Sequence, residues 1–214
     1  MEDYLNEKEQ WDWLQARARE YGPWIVAGVA LAGAGLWGWK WWQARTEERL
    51  LQAGAQYEQV VKAFGKNDAA TVATLADRLN SEHPGTGYAE QAQLAAAGLQ
   101  VESNQLPAAL DRLQKVMAAT HDAELALTVR LRIARVQLQQ GKPDEALATL
   151  SAVTPGGFAA RYAEVRGDAL MAKGDRVGAL KAYREASGAG AAAGGGGGGG
   201  DDLLTLKINE LSRS

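Results

Sequence analysis

Cysteine is missing from all 214 residues, which removes disulfides, thiolate nucleophiles and Cys-type zinc sites together. Histidine occurs only twice, as His83 and His121. Both stand beside turn-like sequence, far apart and with no His-x-x-x-His pair, so neither is a metal-ligand or catalytic candidate. No serine sits on a glycine-framed elbow, which excludes Ser-His-Asp chemistry. A basic field is lacking too. The formal net charge is −3, and residues 1–44 hold 4 of the 23 basic and 6 of the 26 acidic side chains, leaving 19 against 20 beyond them. A nearly neutral remainder has nothing with which to neutralise phosphates, so nucleic acid is not an expected partner. Asp111, Asp144, Glu145, Asp168 and Asp175 are spread as solvated or capping acids rather than paired for acid–base work. The absences describe a chain that binds and does not catalyse, with no cofactor, metal or small-molecule substrate.

Tryptophan is absent after residue 42, because all seven (Trp11, Trp13, Trp24, Trp37, Trp39, Trp41 and Trp42) precede it. A folded core would scatter them. Tyr21 to Trp39 is a run of 19 residues without charge, and at ~1.5 Å per residue it reaches roughly 28 Å, close to the thickness of a bilayer's hydrocarbon. Trp24 at one end and the four later tryptophans at the other suit the two membrane–water interfaces. Pro23 suits a first helical turn and Lys40 the headgroup layer. The expectation is a transmembrane anchor over residues 21–42, preceded by a segment 1–20. That segment holds six acids against three bases, unlike the short basic start of a cleaved signal peptide, and bulky Trp42 spoils cleavage before Arg45. Lys8, Arg17 and Arg19 before the anchor balance Lys40, Arg45 and Arg49 after it, so charge leaves both orientations open. Gly28, Ala32 and Gly35 form a small-residue stripe. Trp11, Leu14, Ala18 and Tyr21 recur at helical spacing, as an interfacial helix or as a solvated tail.

From Arg45 onward proline is scarce and the breaks are regular. Asn104, Gly141 and Gly174 each end a long helical stretch and open a shorter one. Seven residues before each break stands a small residue (Ala97, Ala134, Gly167), and five after it an alanine (Ala109, Ala146, Ala179). Four further on comes a large packing residue: Leu113, Leu150 or Tyr183. The units start 37 and 33 residues apart, near the ~34-residue tetratricopeptide period. Two helices touch most closely where both present a small side chain, and a left-handed turn residue lets the chain double back. In Gly141-Lys142-Pro143-Asp144-Glu145-Ala146 the proline opens the second helix and the acids meet its dipole. A fourth unit upstream uses Tyr57, Val60, Val61 and Phe64, then a helix from Asp68 to Leu79. Val60 and Val72 replace its small pair, so looser packing or an N-terminal cap is expected there. The first helix of this unit could also continue the anchor.

The expected architecture is therefore all-α: one N-terminal transmembrane helix, then about four tetratricopeptide-like hairpins over 43–187. Residues 188–200 are rich in Gly and Ala and end in seven glycines, Gly194 to Gly200. They read as a flexible linker, since no Lys-Ser/Thr follows as in a phosphate loop. Residues 201–214 carry Leu203, Leu204, Leu206, Ile208 and Leu211 and would cap the last repeat. Arg135 and Gln139 fall near the concave face of such a solenoid, with Asp168 and Met171 at the matching positions of the next repeat and Arg161 and Glu164 upstream. Mixed charge over apolar surface suits polypeptide partners. The four charged ones, Arg135, Arg161, Glu164 and Asp168, also suit ordinary interhelical ion pairs.

The order of these parts resembles a known family. Val129-Arg130-Leu131-Arg132-Ile133-Ala134-Arg135-Val136-Gln137 looks like its central helix. Arg166-Gly167-Asp168-Ala169-Leu170 with Lys173-Gly174-Asp175 resembles its penultimate repeat, and Leu206-Lys207-Ile208-Asn209-Glu210-Leu211-Ser212 its closing helix. These residues resemble the YfgM family, ancillary subunits of the bacterial SecYEG translocon, over nearly the whole chain. The glycine run departs from that pattern. The resemblance implies an inner-membrane protein with a cytoplasmic N-terminus and periplasmic repeats. It implies a non-enzymatic adaptor whose partners are translocon subunits, a membrane-anchored PpiD-like chaperone, nascent exported chains and membrane lipid. A role of residues 1–20 in an envelope stress response is implied as well. An envelope scaffold for cell-wall or division machinery is the alternative.

Overall fold

The computed structural model describes the backbone of residues 7–192 and 199–213, and the side chains of Trp11, Arg17, Trp24, residues 26–190 and residues 202–213. Among the described residues every regular element is helical. They are α1 (Glu7–Phe64), α2 (Ala69–Glu82), α3 (Gly87–Glu102), α4 (Leu106–Ala119), α5 (Ala123–Gln139), α6 (Pro143–Ser151), α7 (Ala159–Ala172), α8 (Arg176–Ala192) and α9 (Gly199–Arg213), with a 3-10 turn at Gly156–Phe158 before α7. Residues 1–52 and 53–214 form two compact units.

In the first unit α1 exposes its apolar side chains: Trp24, Val26, Val29, Leu31, Leu36 and Trp37 are all largely open. Arg45 stacks its guanidinium 4.3 Å from the Trp41 ring centre, and Trp39 and Trp42 meet at 5.7 Å. No atom approaches within 4 Å of a Cβ built at Gly28, Gly33, Gly35 or Gly38. The expected membrane span is not recovered: among the described residues no helix is long and apolar enough to cross a membrane. Glycine supplies Gly22, Gly28, Gly33, Gly35 and Gly38 here, and glycine and tryptophan both dilute hydropathy without adding charge. The helix also starts at Glu7 rather than near Pro23, which therefore lies inside it. Helix-favouring Glu, Lys, Gln, Ala and Arg upstream explain the earlier start.

The second unit is a succession of hairpins built on one grammar. Every turn ends its first helix with a left-handed residue: Asn67 (φ 55°), Asn104 (58°), Gly141 (73°) and Gly174 (81°). The next N–H reaches back to the carbonyl five residues earlier, Asp68 to Ala63 (3.2 Å), Gln105 to Gln100 (2.7 Å), Lys142 to Gln137 and Asp175 to Leu170 (both 2.9 Å). This closes the helix end by satisfying otherwise orphaned carbonyls. Two of the following helices are capped by the Asp68 and Asp175 carboxylates, bonded to the N–H groups of Thr71 and Gly178. The other two carry proline in the first turn.

The paired small residues sit at the closest contacts. Ala97, Ala109, Ala134, Ala146 and Ala179 are buried, with Leu113, Leu150 and Tyr183 beside them. At Gly167 there is no room for a methyl group, since a Cβ there would lie 2.4 Å from Cε1 of Tyr183. The first hairpin corrects the expectation of loose packing. Val60 and Val72 are among the largest fully buried side chains. The same slot that holds Leu113, Leu150 or Tyr183 elsewhere holds buried Ala76 here. Volume moved from the third position to the first two keeps the interface full.

Polar side chains tie α2, α3 and α4. Arg112 forms a bidentate pair with Asp77 at 2.5 and 3.2 Å and donates to Gln100 (3.2 Å) and to Gln93. Gln93 and Gln100 are buried, so the guanidinium satisfies acceptors that water cannot reach. Burial alone would raise the Asp77 carboxyl, but bonds from Arg112 and Gln93 and the Arg112 charge hold it below its ordinary value.

The C-terminal boundary also differs from expectation. α8 runs through Ala192, five residues into the expected 188–200 linker, and α9 begins at Gly199 rather than Asp201. Alanine's helix preference and packing of Ala186 against Leu204 carry α8 onward. Residues 193–198, with most of the glycine run, and residues 1–6 of the N-terminal segment lie outside the described residues.

Gly167→Ala is expected to lower stability by about 1–3 kcal/mol, the range for overpacking a filled contact. Gly98→Ala, whose Cβ meets nothing within 4 Å, should instead raise it by about 0.5–1 kcal/mol through helix entropy. Urea titration of the detergent-solubilised chain, followed by far-UV ellipticity, checks both; equal effects would contradict the packing.

Candidate functional site

The first helices of the hairpins, α1, α3 and α5, lie side by side within the second unit and leave a groove between them. Its wider part, about 410 Å³, is lined by Tyr57, Val61, Phe64, Leu94, Gly98 and Arg132. A second lobe of about 300 Å³ shares Gly98 and Arg132 and continues past Val101 and Glu102 to Arg135, Val136 and Gln139. Gly98 forms the hinge of the two lobes because it has no side chain to fill the space. Val61 and Phe64 remain about half exposed, at 51% and 45%. Tyr57 packs its ring 5.7 Å from Tyr88, which steadies the α1 wall.

The wall carries two arginines against one acid, Glu102. Arg132 and Arg135 are exposed, and neither takes part in any ion pair found among the described residues. Arg130, in contrast, turns inward toward the Thr149 carbonyl at 3.5 Å. The groove therefore combines an apolar floor with two uncommitted guanidinium forks, which bind carboxylates bidentately. A third cleft, about 310 Å³ between α6, α7 and α8, is bounded by Arg166 and Glu185. Those two are already paired with each other, so that cleft has less to offer a charged partner.

The six sequence-derived candidates separate into three places. Arg135 and Gln139 line the groove. Glu164, Asp168 and Met171 instead meet α9: Lys207 Nζ lies 2.7 Å from Asp168 Oδ1 and 3.3 Å from Glu164 Oε1, and Met171 packs with Ile208 and Leu211. Arg161 is exposed on α7, outside both groove lobes. Arg132, Gly98, Val61 and Phe64 were not singled out as contacts. Arg132 was legible as the groove-facing partner of Arg135, one turn earlier on α5.

Beneath α9, Tyr183 donates its hydroxyl to Asp168 Oδ1 (2.8 Å) and turns its ring to Lys207, 5.2 Å away. Burial first, then the bond to Asp168 and the charges of Asp168 and Glu164, push the Tyr183 phenol well above its ordinary 10.0. Burial would lower the Lys207 ammonium, but the bond to Asp168 and both acidic charges outweigh it and raise it above 10.5.

The whole chain has relatives of the same build. The tetratricopeptide repeat-like domain family matches residues 16–213. A protein of Escherichia coli (strain K12) named ancillary SecYEG translocon subunit is 32% identical over 212 residues, 99% of this chain and 100% of its own length. Its namesake from Haemophilus influenzae is 32% identical over 89% of this chain and 90% of its length. The chain belongs to the family of ancillary SecYEG translocon subunits. Among solved structures, MamA from Desulfovibrio magneticus RS-1, residues 41 to the end, matches with a TM-score of 0.52. It covers 75% of this chain and 93% of its own at 11% identity, a likeness of fold alone. For this ancillary-subunit chain, then, the helical-repeat architecture rests on two independent comparisons.

Raised folded-state values for Lys207 and Tyr183 mean that both groups bind protons more tightly in the native chain. Their contribution to stability is full below the ordinary values of 10.0 and 10.5 and is lost as pH rises through the folded ones. Docking of α9 is therefore expected to weaken selectively above about pH 10. Limited proteolysis against pH checks this, and Lys207→Met should shrink the alkaline step to the part that Tyr183 contributes; an unchanged step would contradict the assignment.

Proposed function

We propose that this protein is a non-enzymatic adaptor, tethered to the membrane by residues 21–42, which holds polypeptide segments in the α1–α3–α5 groove beside the Sec translocon. The groove is the observation that carries the reading: an apolar floor under Arg132 and Arg135, neither of them committed to an internal partner. The relatives' shared name, ancillary SecYEG translocon subunit, supports the place of action. Within that setting the segments held are exported chains in transit, passed on to a membrane-anchored PpiD-like chaperone. Tethering makes weak contacts sufficient, because it raises the local concentration of groove for client.

Membrane attachment is supported by the uncharged run from Tyr21 to Trp39 and by the open apolar faces of Val26, Val29, Leu31 and Leu36. Trp24 at one end and Trp37, Trp39, Trp41 and Trp42 at the other occupy interfacial depths, while Lys40 and Arg45 reach the headgroups. The family pattern begins at residue 16, so it includes this stretch. In this reading residues 1–20 face the cytoplasm and the repeats the periplasm.

Two outcomes are expected. Alkaline carbonate should leave the intact chain in the membrane pellet, whereas release into the supernatant would contradict attachment through residues 21–42. A photo-crosslinker at Arg135 should capture translocon subunits or chains in transit. Gly98→Trp, whose Cβ meets nothing within 4 Å and whose indole occupies the groove, and the charge reversal Arg132→Glu should each cut that capture at least about tenfold, the loss of about 1.4 kcal/mol of binding. Unaltered capture in both variants would refute the groove.

A further inference from the structure

We infer that the floor of α7 and α8 beneath α9 is an exchangeable docking site for a lysine-bearing amphipathic helix, occupied in cis by the chain's own C-terminus. This goes beyond the groove reading and uses different elements. The receptor for the ammonium is built on three sides. Glu164 and Asp168, one helical turn apart on α7, approach Lys207 Nζ at 3.3 and 2.7 Å, and Tyr183 on α8 supplies an aromatic face. The Tyr183 hydroxyl donates to the same Asp168 oxygen, which locks carboxylate and ring together. Such an arrangement recognises a primary ammonium by charge, hydrogen bonding and cation–π attraction at once.

The apolar part of the contact is narrow. Leu204 is the buried apolar side chain among the described residues of α9, while Ile208 and Leu211, like Leu170 and Met171 of α7, are partly buried against the cluster of Ala163, Ala179, Tyr183, Ala186 and Leu204. Leu203 and Leu206 face away, 61% and 62% exposed. With Leu204 as its one buried large side chain among the described residues, α9 rests on few apolar contacts, the condition under which a segment opens locally. Its only covalent link to α8 passes through residues 193–198, five of which are glycine in a stretch of Ala and Gly. That covalent link keeps α9 near its site at a local concentration above that of a free competitor.

An undocked α9 leaves Ala163, Leu170, Met171 and the Tyr183 ring open beside two carboxylates. The occupant this surface fits is a helix with the pattern of α9 itself, Leu-x-x-Lys-Ile-x-x-Leu, as in Leu204, Lys207, Ile208 and Leu211. A partner that presents this pattern displaces α9 and gains the C-terminal end of the repeats as a second contact. Glu164, Asp168 and Met171 then act as partner contacts only after α9 leaves.

The test uses the full-length, detergent-solubilised chain and a fluorescein-labelled peptide of residues 199–214, read by anisotropy. Lys207→Glu in the chain repels its own α9 from the acids, and the peptide should then bind at least tenfold more tightly than to the unaltered chain. The same substitution placed in the peptide should abolish binding, as should Asp168→Asn added to the Lys207→Glu chain. Equal affinity of both chains for the peptide, or indifference to the peptide's lysine, would overturn the proposal. Hydrogen exchange on the unaltered chain guards against a misfolded variant. Amides of α9 should exchange at least tenfold faster than those of α7, and exchange of α7, α8 and α9 together would overturn it as well.

Discussion

The rest of the structure depends on how closely two helices of a hairpin can approach. At each crossing the backbones meet over Ala97 and Ala109, Ala134 and Ala146, or Gly167 and Ala179, all without room for a larger neighbour. That approach sets the lean of each first helix against the next, and the lean opens the groove where Val61, Gly98 and Arg135 line up. Close contact is not a matter of small residues alone. The first hairpin reaches it with Val60, Val72 and Ala76, a different division of the same space. What is held constant is interhelical volume, because interiors tolerate exchange of volume between neighbours far better than its gain or loss.

Much of this was legible in the residues. The left-handed turns at Asn104, Gly141 and Gly174 and the spacing of small residues around them defined three hairpins, since only Gly and Asn accept that backbone cheaply. Asn67 stands seven residues after Val60 and five before Val72, so it carried the same signal for the first hairpin. It was obscured by valines where alanine was expected. The end of α8 was not legible, because Ala and Gly alternate from Ser187 to Ala192 and only packing against α9 decides whether they stay helical. Periodicity also could not reveal that Lys207, 39 residues beyond Asp168, closes over it. Such long-range pairings belong to tertiary structure and leave no local trace.

The candidate contact residues divide in the same way. Arg135 and Gln139 were traceable because one repeat position faces the concave side in every unit. Asp168 and Met171 were chosen by the same rule, with Glu164 upstream, yet after the α7–α8 hairpin this side of the repeat meets the capping helix. The end of a solenoid is chemically unlike its middle for this reason: the terminal unit must solvate or cover the face that inner units bury. Here it is covered through one lysine and a short apolar stripe. The N-terminal unit faces a different constraint, for its exposed tryptophans and uncharged run are costly in water and suited to an interface between water and lipid.

The most direct measurement of the central claim is the denaturation midpoint of Ala134→Leu, at a fully buried seam position beside the groove-lining Arg135. Close approach of α5 and α6 predicts a loss of about 1–3 kcal/mol, seen as a lower urea midpoint with an unchanged slope. A midpoint equal to that of the unaltered chain would show that the seam has slack, and the geometry of the groove would then need another cause.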